Sequence, residues 1–385
     1  MLIALLVIIY LSNIGIGLPT SLIGAAWPSM YDGLHVPVSH LGIISFIIMG
    51  CVVISGICSG SILKRFEMRV VSLFSILSIS IGLLGFALSD TFIWLCIFAL
   101  FVGFGMGLGN AVLNNYIALY FKAKHMNWLH CFWGLGAAAG PIILSYSMGY
   151  SDTWRSGFFI ISGIEFCIVL LLIFALPLWK KTGQGAELTK DPEQIKFSEI
   201  FKLRGIKFSL LAFFFYCSIE SSIGIWGSSF LVMVKSVSEE LAARWISLYF
   251  FGITFGRLIA GFLTMKLKSY QVVRMGYIIC ALGIVAMLLP FGNVSCLIGF
   301  FLMGMGCAPI FPCLIHETPT CFGKKYAASV IGLQISSAYL GSTLMPPVFG
   351  QIASFSGYGA FPFFLGALLI GMVVMIERRK IKQHD

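Results

Sequence analysis

Charge is what this sequence has least of. Of its 385 residues, 10% are Asp, Glu, Lys or Arg and 59% are hydrophobic. A soluble chain carries about 25% charge, so this one could not cover a water-facing surface, and a soluble enzyme or a disordered chain is excluded. No Gly-x-x-x-x-Gly-Lys-[Ser/Thr] run occurs, which removes the phosphate cradle of an ATP-driven machine. The eleven cysteines include no Cys-x-x-Cys pair, and His316-Glu317 lacks the second histidine of a zinc hydrolase. No metal, cofactor or enzymatic chemistry is expected, and the cysteines read as small apolar packing residues.

What is abundant is apolar length. Each membrane helix needs about 20 apolar residues, and twelve such runs can be marked: 2–27, 39–62, 70–89, 92–121, 128–150, 157–179, 207–232, 241–265, 271–290, 294–315, 326–353 and 360–376. The first lacks a basic leader and is longer than a signal-peptide core, so it reads as a retained helix. These are spans 1 to 12 of an all-α integral membrane protein.

The net charge of +10 comes from 25 Lys and Arg against 15 Asp and Glu. Twenty-one of the basic residues fall in alternate connections and at the C-terminus: 64–69, 122–124, 180–207, 266–274, 324–325 and 378–382. The opposite connections hold Arg155, Lys235 and Arg244, and Arg257 lies inside span 8. That bias places both termini and the 180–206 segment in the cytoplasm of a bacterial-type inner membrane. Basic residues spread over six short loops also exclude a nucleic-acid patch. The partners expected are the lipid bilayer and a small solute.

The polar stretch 180–206 reads as a linker between six-helix bundles at 1–179 and 207–385, with a short interfacial helix over 197–204 or a solvated connector as its two readings. The halves resemble each other. Gly105-Met106-Gly107 recurs as Gly304-Met305-Gly306, Arg69-Val70-Val71 is echoed by Gln271-Val272-Val273, and Gly140-Pro141 by Pro346-Pro347. The offsets, 199, 202 and about 205, indicate a duplicated unit suited to alternating access around a central site.

Polar groups at membrane depth cost several kcal/mol unless they pair or line a wet cavity. Glu220, mid-span 7, is the leading proton-coupling candidate, with Tyr216 one turn before it. His130 in span 5 adds an imidazole that titrates near neutrality, although its place near the span end also fits a headgroup-level histidine. In span 4, Asn110, Asn114 and Asn115 follow a run of glycines. Amides both donate and accept, which suits sugar hydroxyls better than an ion; interhelical glue is the competing reading. Trp133, Trp226 and Tyr249 offer aromatic faces for a pyranose ring, and Gln334 and Tyr339 add polar groups from span 11. Arg257, near the inner end of span 8, is a gating residue at most. Span 1, with Gly15, Gly17 and Pro19, should kink near mid-depth, and Pro319 should stop span 10.

The 6+6 layout and the basic segment Gly60-…-Lys64-Arg65-Phe66-Glu67-Met68-Arg69 resemble the major facilitator superfamily over essentially the whole chain. The superfamily pattern there is Gly-x-x-x-Asp-Arg-x-Gly-Arg-Arg. Gly60 and Arg65 match it, whereas Lys64 and Glu67 replace its Asp and Gly, which weakens the usual gating salt bridge and leaves Arg65 as the gating candidate. A closer resemblance is to the fucose-permease-like sugar:proton symporters, carried by 107–116 (GLGNAVLNNY), 128–136 (WLHCFWGLG), 216–220 (YCSIE) and 308–319 (APIFPCLIHETP). The group's carboxylates in helices 1 and 4 align with Thr20 and Asn110, both neutral here. What the resemblance implies is coupling through Glu220 or no coupling, with Thr20 kept as a gating position. Helices in the place of span 6 usually pack on the periphery in this superfamily, so Glu165 reads as a packing residue.

The expectation is a twelve-helix secondary transporter of a small polar, sugar-like solute, working as a single chain with the proton as coupling ion. Proton-driven efflux of amphipathic compounds is the alternative, since 35 Phe and 16 Met suit a greasy, adaptable cavity.

Overall fold

The computed structural model describes residues 2–121, 123–151, 153–179, 197–323 and 325–384. Among them the secondary structure is entirely helical, and all twelve spans are present. Eleven are long and apolar enough to cross a membrane. The remaining one, span 11 (Ala327–Ser356), is 30 residues long and diluted by serines, Gln334 and Pro346-Pro347.

The breaks follow glycine and proline. Span 1 runs as Leu2–Gly17, tightens to a 3-10 turn over Leu18–Thr20 with Pro19 in its first turn, and resumes as Leu22–Met30. Span 10 is likewise split, into Gly292–Cys307 and Ile310–Phe322 on either side of Ala308-Pro309. Pro319 does not stop it. The helix carries Pro319 internally and ends at Gly323, whose φ of +85° is a conformation glycine adopts freely. Span 12 extends to His384, past the apolar run read from the sequence. The remaining spans are Leu41–Arg65, Met68–Leu88, Phe92–Tyr120, Ala123–Ser151, Trp154–Ala175, Ile206–Lys235, Glu239–Leu263 and Ser269–Leu288.

Contacts divide the chain into two compact units. The first is Met1–Glu187 with Gly224–Val232 and Ser236–Ser247; the second is Leu188–Ile223, Met233–Lys235 and Leu248–Asp385. In the first unit, span 1 packs on span 5, span 4 on spans 2 and 3, and span 6 on spans 3, 5 and 1. The stretches of spans 7 and 8 that belong to it are tied in by backbone approach and hydrogen bonds. Gly24 meets the backbone of Gly224 and Ile225, Ser228 donates to the Ala25 carbonyl at 3.3 Å, and Arg244 donates to Ser145 at 3.2 Å.

The repeat is visible in these crossings, and its register differs from the sequence reading. A Cβ on Gly103 would strike the carbonyl of Ile48, and one on Gly304 that of Tyr249. Gly105 is closed off by Ser75 and Ile79, Gly306 by Gly276 and Cys280; Gly82 by Val102, Gly283 by Met303. Every member of these pairs lies 201 residues from its counterpart (48 and 249, 75 and 276, 79 and 280, 102 and 303). Gly103-x-Gly105 is therefore the partner of Gly304-x-Gly306. The Gly-Met-Gly identity at offset 199 pairs glycines that face different helices: Gly105 faces span 3, whereas Gly304 faces span 8, the repeat of span 2. Between spans 1 and 5, Gly136 meets the Ile14 carbonyl; between spans 7 and 11, Gly341 meets that of Phe214. This sets an offset of 200 for spans 1 and 7 and 205 for spans 5 and 11.

Most of the linker, and with it Lys180–Lys196, lies outside the described residues. The short helix after it covers Phe197–Ile200. Ile200 packs into an apolar cluster of the second unit with Ile206, Phe322 and Val330, with Leu203 against it. That cluster anchors the segment to the protein through Ile200 and Leu203, two of the apolar side chains read from the sequence as making contacts there.

Candidate functional site

In the second unit the polar chemistry gathers around Glu220. Tyr216 lies one turn before it on span 7, and Glu220 and Arg257 are both within electrostatic reach of the Tyr216 ring. Tyr249 of span 8 lies within reach of the same carboxylate, of Tyr216 and of the Cys307 thiol. Cys307 and Cys280 bring their sulfurs to 3.7 Å. Tyr216 and Tyr249 are fully buried, and the Tyr216 hydroxyl has no hydrogen-bond partner in the structure. Glu220 and Arg257 are only half-buried. A carboxylate, a guanidinium, two phenols and a thiol thus converge from spans 7, 8 and 10. Such a group can exchange protons and hydrogen bonds. All eleven cysteines are thiols, not disulfides.

The repeat register gives Glu220 a further meaning. Spans 1 and 7 are related by 200, so Glu220 holds in the second unit the place that Thr20 holds in the first. Thr20 itself is half-buried, its hydroxyl 3.4 Å from the Ile16 carbonyl across the break in span 1.

Two other predicted positions in the second unit differ in their surroundings. Gln334 is fully buried; its amide nitrogen donates to Ser209 at 2.8 Å and its oxygen accepts from Thr318 at 3.0 Å. This joins spans 7, 10 and 11, and spends both ends of the amide inside the bundle. Tyr339 is half-buried one helical turn beyond Ser336 on the same span.

In the first unit, Asn110, Asn114 and Asn115 are half-buried along span 4, and the side-chain oxygen of Asn114 is buried without a partner. Asn13 of span 1, which the sequence reading passed over, donates to the Leu129 carbonyl at 2.6 Å and leaves its own oxygen unpartnered. Its signal was an amide two residues before a glycine in a helix whose other polar side chains are Tyr10 and Ser12. Trp133 is half-buried, with its carbonyl against Gly17. Trp226 is fully buried within the first unit, so its ring is covered. His130 is exposed on span 5, and one turn earlier His125 shares a 2.8 Å hydrogen bond with Tyr10. Arg65 is exposed at the end of span 2, while Glu67 pairs with Arg69 at 2.5 Å.

A carboxyl of the first unit stands apart from all of these. Glu165 is fully buried in span 6, and neither of its oxygens has a hydrogen-bond partner.

A sequence profile described as Major Facilitator Superfamily matches residues 9–333 and 236–384. Among curated proteins, the chain is 22% identical over 346 residues to the glucose/mannose transporter GlcP of Bacillus subtilis (strain 168), covering 85% of this chain and 84% of that one. It is 23% identical over 318 residues to the probable nitrate transporter NarT of Staphylococcus epidermidis, covering 80% and 78%. Among solved structures, a mutant of the nucleoside transporter NupG superposes with a TM-score of 0.79 at 14% identity over 97% of this chain and 99% of that one. A bacterial homolog of the human lysosomal transporter Spinster gives 0.68 at 15% identity over 100% and 94%. At these identities the structures speak for the fold alone.

Proposed function

The chain belongs to the major facilitator superfamily, and from that premise we propose that it carries a small sugar-like solute across a bacterial-type inner membrane by alternating access, with the proton as coupling ion. Membership makes it a multi-pass membrane transporter of a small solute; sugar and proton are this proposal's own. The observation that carries the sugar reading is the row of amides in span 4. Asn110, Asn114 and Asn115 stay half-buried, with the Asn114 oxygen unpartnered. A buried polar atom left unsatisfied costs about 1–3 kcal/mol, and a hydroxylated solute that donates to it recovers that cost. The glucose/mannose specificity named for the Bacillus relative points the same way.

Bundles 1–179 and 207–385 act as the two rocking halves, and the basic bias of alternate loops sets both termini in the cytoplasm. Coupling falls to Glu220. It stands at the repeat position of Thr20, where the resemblance to sugar:proton symporters places a carboxylate, so the carboxylate has changed halves. Trp133 and Tyr339 are the proposed ring contacts, Gln334 fixes span 11 to spans 7 and 10, and Arg257 answers the charge of Glu220.

Uptake into proteoliposomes under an inward proton gradient tests the proposal. The panel is glucose, mannose, fucose, a nucleoside, nitrate and an amphipathic cation. Accumulation of a hexose, weakened by Asn114→Ala, is the expected result. Accumulation of nitrate or a nucleoside without any hexose contradicts the sugar reading, and loss of the proton gradient on adding the cation replaces it with efflux.

A further inference from the structure

Glu165 does nothing in the scheme above, and its surroundings are unlike those of any other charged group described. Its carboxyl abuts span 1: a Cβ on Gly15 would lie 2.6 Å from Oε2 and 3.1 Å from Oε1, with Ile168 filling the remaining side at 3.1 Å. Gly15 precedes the break in span 1 at Leu18 by three residues. The donors of the polar side chains on the flanking turns are already committed. Ser162, one turn earlier on span 6, exchanges hydrogen bonds with Ser80 of span 3 at 2.9 and 3.0 Å, and Asn13 donates to Leu129.

Among the described side chains, the charged and titratable groups on the helices packed against it offer no counter-ion. Tyr10 of span 1 bonds to His125 of span 5, Arg69 of span 3 pairs with Glu67, and Arg155 at the start of span 6 pairs with Asp90 at 2.9 Å. Span 5 also carries His130, Cys131, Tyr146 and Tyr150, and span 6 Cys167; none of these side chains hydrogen-bonds to the Glu165 carboxyl. An ionised carboxylate enclosed in this way costs several kcal/mol.

The second unit shows that packing does not require a carboxyl here. The repeat of Gly15 is Phe215, and the ring of Phe215 packs on Gly371 of span 12, whose Cβ would lie 2.9 Å from Phe215 Cζ. At the corresponding crossing of the first unit the glycine is on span 1, and the bulk on span 6 is Glu165. A ring against a glycine closes one crossing with no polar atom; the other holds a carboxyl against a glycine.

We propose that Glu165 is a proton-binding site of the transport cycle, occupied while span 1 lies against span 6 and emptied when span 1 swings away at its break. In the packed arrangement the O–H bond is kept because no described side chain or backbone group hydrogen-bonds to the buried carboxyl and stabilises its charge. When span 1 moves off Gly15's contact, water reaches the carboxyl, the proton passes to it as hydronium, and the carboxylate is hydrated. Return of span 1 requires reprotonation from the aqueous phase then in contact. This rests on proton-coupled transport as proposed above, and divides the labour: Glu220 links the proton to the solute, and Glu165 links it to the motion of span 1.

Two readouts test it, one of which needs no solute. Infrared difference spectra of the wild type between acid and alkaline pH should show the carbonyl stretch of a non-hydrogen-bonded protonated carboxyl, absent in Glu165→Gln and retained, shifted, in Glu165→Asp. The same band in Glu165→Gln, or a wild-type spectrum without it, overturns the proposal. In proteoliposomes, a gradient of about one pH unit sustains about a tenfold solute gradient per proton carried. Glu165→Gln should lose that accumulation, to a ratio of about one, while solute exchange without a gradient persists; Glu165→Asp should recover part of it. Accumulation by Glu165→Gln equal to wild type overturns the assignment and leaves symport standing. An infrared band that behaves as expected, with no hexose accumulated by the wild type, leaves Glu165 standing and removes the sugar reading.

Discussion

Glu220 lies within electrostatic reach of Tyr216 and Tyr249, in the surroundings of Arg257 and Cys307, whereas Glu165 sits against a glycine and an isoleucine with no hydrogen-bond partner among the described residues. The contrast extends through the two units. In the second, polar side chains are linked in sets: Ser209–Gln334–Thr318, Arg379–Glu317, and Arg274–Glu377–Tyr277. In the first, the deep polar groups stand nearly alone, as Asn13, Asn114 and Glu165 do, with Ser80–Ser162 as a local pair. The backbone crossings of spans 2–4 and 8–10, by comparison, coincide at a constant 201 residues. Duplication kept the helix contacts, which depend on small residues at fixed places, and let the side-chain chemistry diverge. Function in such a protein has to be read from the positions at which the halves differ.

Changes of graded size test that contrast. The largest effect is expected from Glu317→Ala. Arg379 is 5% exposed and Glu317 18%, and removing the carboxylate strands a buried guanidinium, costing about 3–5 kcal/mol; a fall in the thermal midpoint of the detergent-solubilised protein reads it. Next come Gly103→Val and Gly304→Val, each of which drives a side chain into a backbone carbonyl and should cost about 3 kcal/mol. Their midpoints should fall by similar amounts, and a marked inequality breaks the 201-residue equivalence. Gln334→Leu removes both hydrogen bonds of a buried amide, leaving Ser209 without the donor and Thr318 without the acceptor that the amide supplies, for about 1–3 kcal/mol. Glu220→Gln leaves the fold intact and should slow gradient-driven uptake at least about tenfold, or about 1.4 kcal/mol of transition-state stabilisation. The smallest effect belongs to Asp90→Ala. Asp90 is 85% exposed, and Arg155 keeps its bonds to the Ala87 and Ser89 carbonyls, so the loss should stay below about 1 kcal/mol.

The fold was legible because its signals are long and redundant. Twelve apolar runs and the glycine-proline break in span 1 need only composition and periodicity, and most span limits agree within a few residues, the ends of spans 10 and 12 running seven and eight residues further than read. Pro319 and the repeat register were misjudged for one reason: both are decided by what a helix touches. A proline in a packed helix is carried through when neighbours satisfy the freed carbonyl, and Gly-Met-Gly identity says nothing about which helix each glycine faces. Among the candidate site residues, Asn110, Asn114 and Glu220 were singled out because an amide or carboxylate at membrane depth is conspicuous in one dimension. Nothing in the sequence separated Gln334, whose amide is spent on Ser209 and Thr318, from Asn114, whose oxygen is free. Glu165 looked like packing because its sequence neighbours are aliphatic. That same enclosure, seen with Gly15 closing the far side, is what distinguishes it.

The most direct test of the account is the charge moved when a hexose is applied to protein on a supported membrane, for wild type and Glu220→Gln, with binding followed separately by tryptophan fluorescence. The account predicts a hexose-evoked current in the wild type that vanishes in Glu220→Gln while binding persists. A current of undiminished size in Glu220→Gln would contradict it.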